Sequence, residues 1–179
     1  MATVAGRQHA VNNRASDAAP NAAPDGPPDG PRRTAAGDLF SALVVRLFRV
    51  NGLLAAEGDR LARPAGQTSA RWQLLAMVED TPRTVAEIAR VLGLARQSVQ
   101  RVADALERDG LVRYEDNPRH RRARLVVLTD VGRAALETIQ AAQRPWADAL
   151  GEKVGERELE RANRTLDRVL EALLARSPR

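Results

Sequence analysis

The feature that most limits what this chain can fold into is a pair of short amphipathic segments joined by a turn. Thr84 and Glu87 have the spacing of a capping box, and the helix that they begin is predicted to end at Gly93. A longer helix follows to about Asp109, and its apolar residues recur at helical spacing: Val99, Val102, Ala103 and Leu106. Two helices joined by a turn of a few residues that contains Gly form a helix-turn-helix.

Two β-prone runs follow the second helix. Residues 111–114 and 124–128 are rich in Leu and Val, and a polar, Pro-containing segment separates them. This order predicts a β-hairpin beside the helix-turn-helix, which is the arrangement called a wing. The expected fold class is therefore mainly α with a small β wing, a winged helix-turn-helix.

Amphipathic helices are predicted on the N-terminal side of this unit. An apolar period with Asp38 near a plausible N-cap predicts a helix over about 38–62, and Thr68 or Ser69 opens a second helix. Residues 1–36 instead combine Pro with Ala, Asp, Asn and Gly, a composition that buries too little apolar area to offset the entropy of ordering. We therefore expect a disordered tail before the first helix.

The helical period returns after the wing. A kink or break is expected at Pro145, and a last amphipathic helix begins at about Glu156. Helices at both ends of so small a domain have little core of their own to cover, so dimerisation is their natural use. The expected organisation is a disordered tail over 1–36, an N-terminal dimerisation helix over 38–66, a winged helix-turn-helix DNA-binding domain over 68–129 and C-terminal dimerisation helices over 130–176.

Composition argues against catalysis. The chain has no Cys, so disulfides, thiolate metal sites and thiol chemistry are excluded. Its two histidines, His9 and His120, are too few for a His-based metal cluster or a triad. Asp, Glu and Ser are scattered over positions whose pattern places them on the surface. We expect a protein that is not an enzyme and that uses no cofactor and no metal.

Positive charge is concentrated in the middle of the sequence. The chain carries a net charge of +5, and residues 95–124 hold eight arginines against five carboxylates, a net +3. Four of these arginines crowd one short stretch with no acid between them: Arg119, Arg121, Arg122 and Arg124. Such a run repels itself in a folded protein unless an anion is the intended partner.

Three stretches, in this order and spacing, resemble the MarR family of winged-helix transcription regulators. TVAEIARVL resembles the first helix of the family's DNA-binding domain, and RQSVQRVADALERDGLV resembles its recognition helix and the start of the wing. NPRHRRARLVVLTDVG resembles the family's basic wing tip, the strand that ends in Leu-Thr and the helix after it. The resemblance extends over residues 72–137. In one departure, Ala95 stands where the family usually has Ser or Thr, which removes a side-chain cap.

The resemblance implies a triangular homodimer in which the first and the last two helices of each chain intertwine. It also implies repression or activation, with repression favoured here, at a pseudo-palindromic operator in double-stranded DNA, often relieved by a small aromatic ligand. The residues expected to contact DNA lie on the unburied face of the recognition helix and at the wing tip, where Gln suits adenine and Arg suits guanine, phosphate or a narrow minor groove: Arg96, Gln97, Ser98, Gln100, Arg101, Arg119, Arg121 and Arg122.

A ligand cavity has fewer sequence signals. Phe40, Phe48 and Trp72, with Trp146, are the aromatic candidates for its lining, although aromatic residues on apolar helical stripes more often belong to a core or a dimer interface. The sequence is consistent with both interpretations.

Two other functions compete with DNA binding. A winged helix used only for protein–protein contact has the same apolar pattern but needs no cationic wing tip, and an enzyme needs a converging acid–base site. No apolar run approaches the length of a bilayer span, and the polar N-terminal segment lacks the features of a secretion signal. We therefore expect a cytoplasmic protein with no membrane partner.

Overall fold

The computed structural model of the chain describes residues 33–120 and 122–176. Within this part, a 3-10 turn at Arg63–Ala65 follows the first helix. The helices and strands are, in order, α1 (Ala35–Ala62), α2 (Ser69–Met77), β1 (Arg83–Thr84), α3 (Val85–Leu92), α4 (Arg96–Arg108), β2 (Val112–Glu115), β3 (Leu125–Leu128), α5 (Asp130–Val154) and α6 (Glu156–Arg176). The predicted fold class, mainly α with a small β wing, is confirmed.

The chain divides into two units between Ser41 and Ala42, and the described part of the first unit is the beginning of α1. There Thr34 Oγ1 accepts the backbone N–H of Gly37 at 3.1 Å, which is an N-cap bond. The Asp38 N–H donates to the Thr34 carbonyl oxygen at 3.0 Å and so lies already inside the helix. The predicted N-cap near Asp38 is therefore wrong by one turn, because Thr34 caps the helix earlier. Of the predicted tail, residues 1–32 lie outside the described residues.

The core of the second unit forms where α2, α3 and α4 pack against the wing and the first turns of α5. Each of these elements contributes at least one side chain that is almost completely buried: Leu74, Leu75, Ile88, Leu106, Val126 and Leu136. Burying an aliphatic side chain of this size stabilises the fold by about 1.5–3 kcal/mol. Because these residues come from five elements, the core holds the helix-turn-helix and the wing in one body.

The wing is part of a three-stranded antiparallel sheet with the order β1-β3-β2. Val112 pairs with Leu128 and Tyr114 with Val126, so the hairpin lies close to its predicted position. No pattern of residues indicated β1, which pairs Arg83 with Val126. A strand of two residues has no apolar alternation to detect, and it exists only because β3 lies beside it.

Helix α5 continues through Pro145, so the break considered there does not occur. Proline removes one backbone donor, and the carbonyl that loses its partner belongs to Ala141, which is on an exposed turn where water can bond it. Gly155, with a φ of 88°, separates α5 from α6. The beginning of the last helix at Glu156 is confirmed.

The segment Ala35–Ala65 is more apolar than expected. An 18-residue window in it reaches a mean hydropathy of 1.6 with at most two charged residues, and none of that window is buried. The expectation that no apolar run approaches the length of a bilayer span is therefore wrong, because this segment has the length and the composition of one. One such helix near the N-terminus is weak evidence of a membrane span, since signal sequences and the buried core helices of soluble proteins have the same length and composition.

Candidate nucleic-acid interface

The turn between α3 and α4 is set by local caps. Thr84 Oγ1 accepts the N–H of Glu87 at 3.2 Å, and Glu87 Oε2 accepts the backbone N–H of Thr84 at 2.8 Å, which completes the predicted capping box. These bonds from Thr84 hold the pKa of the Glu87 carboxyl below its usual value. Gly93 ends α3 with a φ of 65°, a left-handed conformation that favours glycine. The chain can therefore turn directly into α4.

Helix α4 buries one side and presents the other. Val99, Ala103 and Leu106 are buried against the core. Of the residues predicted to contact DNA, Arg96, Gln97 and Arg101 are exposed, and Ser98 and Gln100 are half-buried. All five lie in the N-terminal half of α4. Ala95 is the N-cap residue of α4, and alanine has no side-chain oxygen that could accept a hydrogen bond. The backbone N–H groups of the first turn of α4 therefore have no side-chain cap from Ala95.

Arg71 of α2 contacts the C-terminal end of α4. The guanidinium of Arg71 forms an ion pair with Asp109 and reaches the carbonyl oxygen of Ala105 at 3.5 Å. The Arg71 side chain is mostly buried, whereas Asp109 is half exposed. Because Arg71 holds the end of α4 that is remote from Arg96 and Arg101, it orients the helix without using the residues predicted to contact DNA.

The wing carries its arginines on the loop between β2 and β3. Arg119 and Arg122 are exposed, and Arg121 lies outside the described residues. Asn117 Oδ1 accepts the backbone N–H of Arg119 at 2.9 Å and so shapes the turn. Arg124 is used within the wing, since its guanidinium stacks 4.7 Å from the centre of the Tyr114 ring and donates to the Tyr114 carbonyl oxygen at 3.0 Å.

A polar cluster, formed by Gln100, Asp104 and Tyr114, joins α4 to the wing. Gln100 Nε2 lies 2.8 Å from both Asp104 Oδ1 and Tyr114 Oη, and Tyr114 Oη donates to Asp104 Oδ1 at 2.9 Å. Burial, and next the hydrogen bond to Asp104, raise the pKa of Tyr114 well above its usual value. The sequence reasoning predicted Gln100 as a base-contacting residue and did not find its link to Tyr114, because the two residues lie on different elements.

A cleft of about 270 Å³ opens between α4 and the wing. Residues from both sides line it, among them Arg96, Gln100, Tyr114, Arg122 and Arg124. Two carboxylates, those of Asp104 and Glu107, line the cleft as well, so its lining has a small excess of positive charge, which favours an anionic partner. Of the predicted arginines, the structure thus brings Arg96 of the helix and Arg122 of the wing to the same cleft.

A second, apolar cavity of about 400 Å³ lies between α1, α2 and α5. Its lining includes Leu54, Trp72, Met77 and Trp146. Of the aromatic residues considered for a ligand pocket, Trp72 therefore lies at the cavity, together with Trp146. Phe48 is 74% exposed and does not line it, and Phe40, in the first unit, is 44% exposed. Within the described ranges, no group of three or more potential metal ligands occurs.

A helix-turn-helix flanked by a basic wing defines a class of DNA-binding proteins. Residues 65–123 match the family model described as MarR family. The chain belongs to the MarR family, and it is a DNA-binding transcription regulator.

Relatives match most of the chain. An uncharacterised protein of Mycobacterium tuberculosis, Rv2011c, is 40% identical over 141 residues, which is 79% of this chain and 99% of the relative. The transcriptional activatory protein BadR of Rhodopseudomonas palustris is 29% identical over 76% of this chain and 79% of its own length. The M. tuberculosis regulator MosR, solved in complex with DNA, is 28% identical to this chain with a TM-score of 0.61. The match covers 73% of this chain and 96% of MosR.

Proposed function

We propose that this chain binds a pseudo-palindromic operator as a homodimer and represses transcription there. The single observation that carries the proposal is the cleft that Arg96 of α4 and Arg122 of the wing line together. A recognition helix in the major groove leaves the adjacent hairpin beside the minor groove or the phosphates. The residues proposed to contact DNA are Arg96, Gln97, Ser98, Gln100, Arg101, Arg119, Arg121 and Arg122.

The homodimer is supported by apolar side chains that one chain leaves uncovered. On α1, Val45 and Phe48 are 68% and 74% exposed, and on α6, Leu170 and Leu174 are 57% and 64% exposed. Exposed apolar surface of this extent on a soluble protein marks an interaction site. A second copy of the chain supplies the same surfaces. The two-fold symmetry of the resulting dimer matches the symmetry of a pseudo-palindromic operator. The apolar character of α1 thus serves subunit association in the cytoplasm, without a membrane partner.

A small aromatic molecule in the apolar cavity is the proposed inducer. The cavity lies against α2, which packs on α4 and holds its end through Arg71. A planar ligand between Trp72 and Trp146 suits a pocket of this size and lining. A ligand that binds one orientation of α2 more tightly than another shifts the position of α4, and thereby the affinity for DNA.

Activation is the second candidate, because BadR is named as an activatory protein. A simple measurement distinguishes repression from activation. Deleting the gene raises the transcripts of its targets if the protein represses and lowers them if it activates.

A module for protein–protein contact is the remaining alternative, and the arginines of the wing argue against it. The decisive experiment titrates purified protein against labelled DNA from its own promoter region in the presence of an excess of competitor DNA. We expect saturable binding to a short pseudo-palindromic segment, at least a thousandfold tighter than to random DNA, which is the lower end of the usual range for specific regulators. Equal affinity for both DNAs would overturn the proposal and leave the protein-contact module in its place.

A further inference from the structure

The carboxamide of Gln100 is already engaged before any DNA is bound. Its nitrogen carries two hydrogens, and two acceptors lie at 2.8 Å from it, Asp104 Oδ1 and Tyr114 Oη. Both donors of this side chain are therefore used within the protein.

The orientation of this carboxamide is determined by its partners. The Asp104 carboxylate is a pure acceptor, and Tyr114 donates its hydroxyl hydrogen to the same carboxylate oxygen, so the Tyr114 oxygen is left to accept. Turning the amide over would place the Gln100 oxygen against the Asp104 carboxylate, which is repulsive. A tyrosine phenol is protonated at neutral pH even at its usual pKa, and the pKa of Tyr114 is raised further, so this arrangement persists under physiological conditions.

The carboxamide oxygen of Gln100 remains free. It accepts no hydrogen bond from any residue in the described ranges, and it is not among the buried polar atoms that lack a partner. Gln100 lines the cleft between α4 and the wing together with Arg96 and Arg122. Its one remaining hydrogen-bonding group is thus an acceptor at the cleft that Arg96 and Arg122 also line.

We propose that Tyr114 and Asp104 hold Gln100 as an acceptor-only group for reading bases in the major groove, with Tyr114 as a positioning residue for specificity. The inference rests on the proposed function, since it concerns how this domain selects its operator. An unrestrained Gln pairs bidentately with adenine through its oxygen and its nitrogen. A restrained Gln100 accepts only from an exocyclic amino group, which adenine N6 and cytosine N4 both offer. Guanine and thymine, which present acceptors there, are disfavoured.

The test measures binding to operators in which the contacted position is changed to each of the four bases. It uses the full-length protein in four forms: wild type, Tyr114→Phe, Gln100→Ala and the double variant. Tyr114→Phe keeps the ring that stacks on Arg124 and removes only the hydroxyl group. A melting curve of each form confirms folding, and Asp104→Ala, which frees the same carboxamide from the other side, replaces Tyr114→Phe if that variant does not fold.

We expect wild type to bind adenine and cytosine operators with similar affinity and more tightly than the other two. Tyr114→Phe frees one N–H of Gln100, so the preference for adenine over cytosine rises on the order of tenfold, a typical value for one bidentate pair. In the Gln100→Ala background the same substitution changes nothing. A Tyr114→Phe protein with the wild-type base preference overturns the inference, as does a Gln100→Ala protein with that preference. If wild type does not distinguish operator from random DNA, the proposed function itself fails.

Discussion

Gly132, in the first turn of α5, lies so close to the backbone carbonyl of Leu111 that no side chain fits at position 132. The same carbonyl oxygen accepts the backbone N–H of Thr129 at 3.2 Å, and Thr129 Oγ1 accepts the N–H of Gly132 at 3.0 Å as the N-cap of α5. The beginning of the wing and the beginning of α5 are therefore joined at one point. This contact connects the DNA-binding domain to the helices proposed to dimerise.

Gly132→Ala should destabilise the fold by about 3 kcal/mol, because the added methyl group meets backbone that cannot move aside. Gly151→Ala is the matched control, since it lies in the same helix and has open space around it. Removing a flexible glycine there should stabilise the protein by up to about 1 kcal/mol. Chemical unfolding at one protein concentration measures both variants, and equal effects at the two positions would contradict the close approach at Gly132.

Glu87→Gln should reduce the sensitivity of the protein to acid. The folded-state pKa of Glu87 is lowered by the bonds from Thr84, so the stability that its ionised form contributes is present above the reference value of 4.5. That contribution is lost as the pH falls through the folded-state pKa. Wild type should therefore lose more stability than Glu87→Gln between pH 5 and pH 3, about the range where carboxylates titrate. Glu137→Gln, which removes the same charge at an exposed position of α5, is the control. Parallel pH profiles of stability for Glu87→Gln and wild type would refute the expectation.

Arg122→Ala should weaken binding to operator and to random DNA alike. An inserted guanidinium acts by charge and shape, so its loss should reduce the slope of log affinity against log salt by about one unit per protomer. Arg168→Ala on α6 removes the same charge away from the wing and should leave the slope unchanged. Affinities at four salt concentrations, with a melting curve, test this. An unchanged slope together with a lower melting temperature would show instead that Arg122 stabilises the wing.

Phe48→Glu should dissociate the homodimer. A side chain that is 74% exposed in one chain can be covered only by a partner, and a carboxylate in an apolar interface is strongly unfavourable. Arg49→Glu introduces the same acid at the neighbouring exposed position and should remain dimeric. Sedimentation equilibrium gives the mass of both variants. A dimeric Phe48→Glu protein with wild-type operator affinity would place the interface elsewhere.

Ala55→Phe should abolish the response to aromatic inducers without changing operator affinity in their absence. Ala55 lines the apolar cavity and is itself exposed, so a larger side chain can fill the cavity without disturbing the core. Ala56→Phe is the control, because Ala56 is also exposed and is not part of the lining. Quenching of tryptophan fluorescence from Trp72 and Trp146 reports ligand binding, and release of labelled operator reports the response. A ligand that still releases DNA from Ala55→Phe would have a different site.

Sequence reasoning succeeded where structure depends on near neighbours. The capping box of Thr84 and Glu87, the buried stripe of α4 and the beginning of α6 at Glu156 each follow from residues within a few positions of one another. It failed where a competing partner decided the outcome. Thr34 displaced Asp38 as the cap of α1, and β1 exists only because β3 pairs with it.

The candidate site divides in the same way. Helical periodicity determined that Arg96, Gln97 and Arg101 lie on the exposed face of α4, since the spacing of the buried residues leaves them no other position. Only the tertiary structure decided which groups of Gln100 are free, because Tyr114 reaches it from a strand 14 residues further along the chain. A side-chain hydrogen bond between separate elements depends on how those elements pack, and no local pattern of residues encodes that distance.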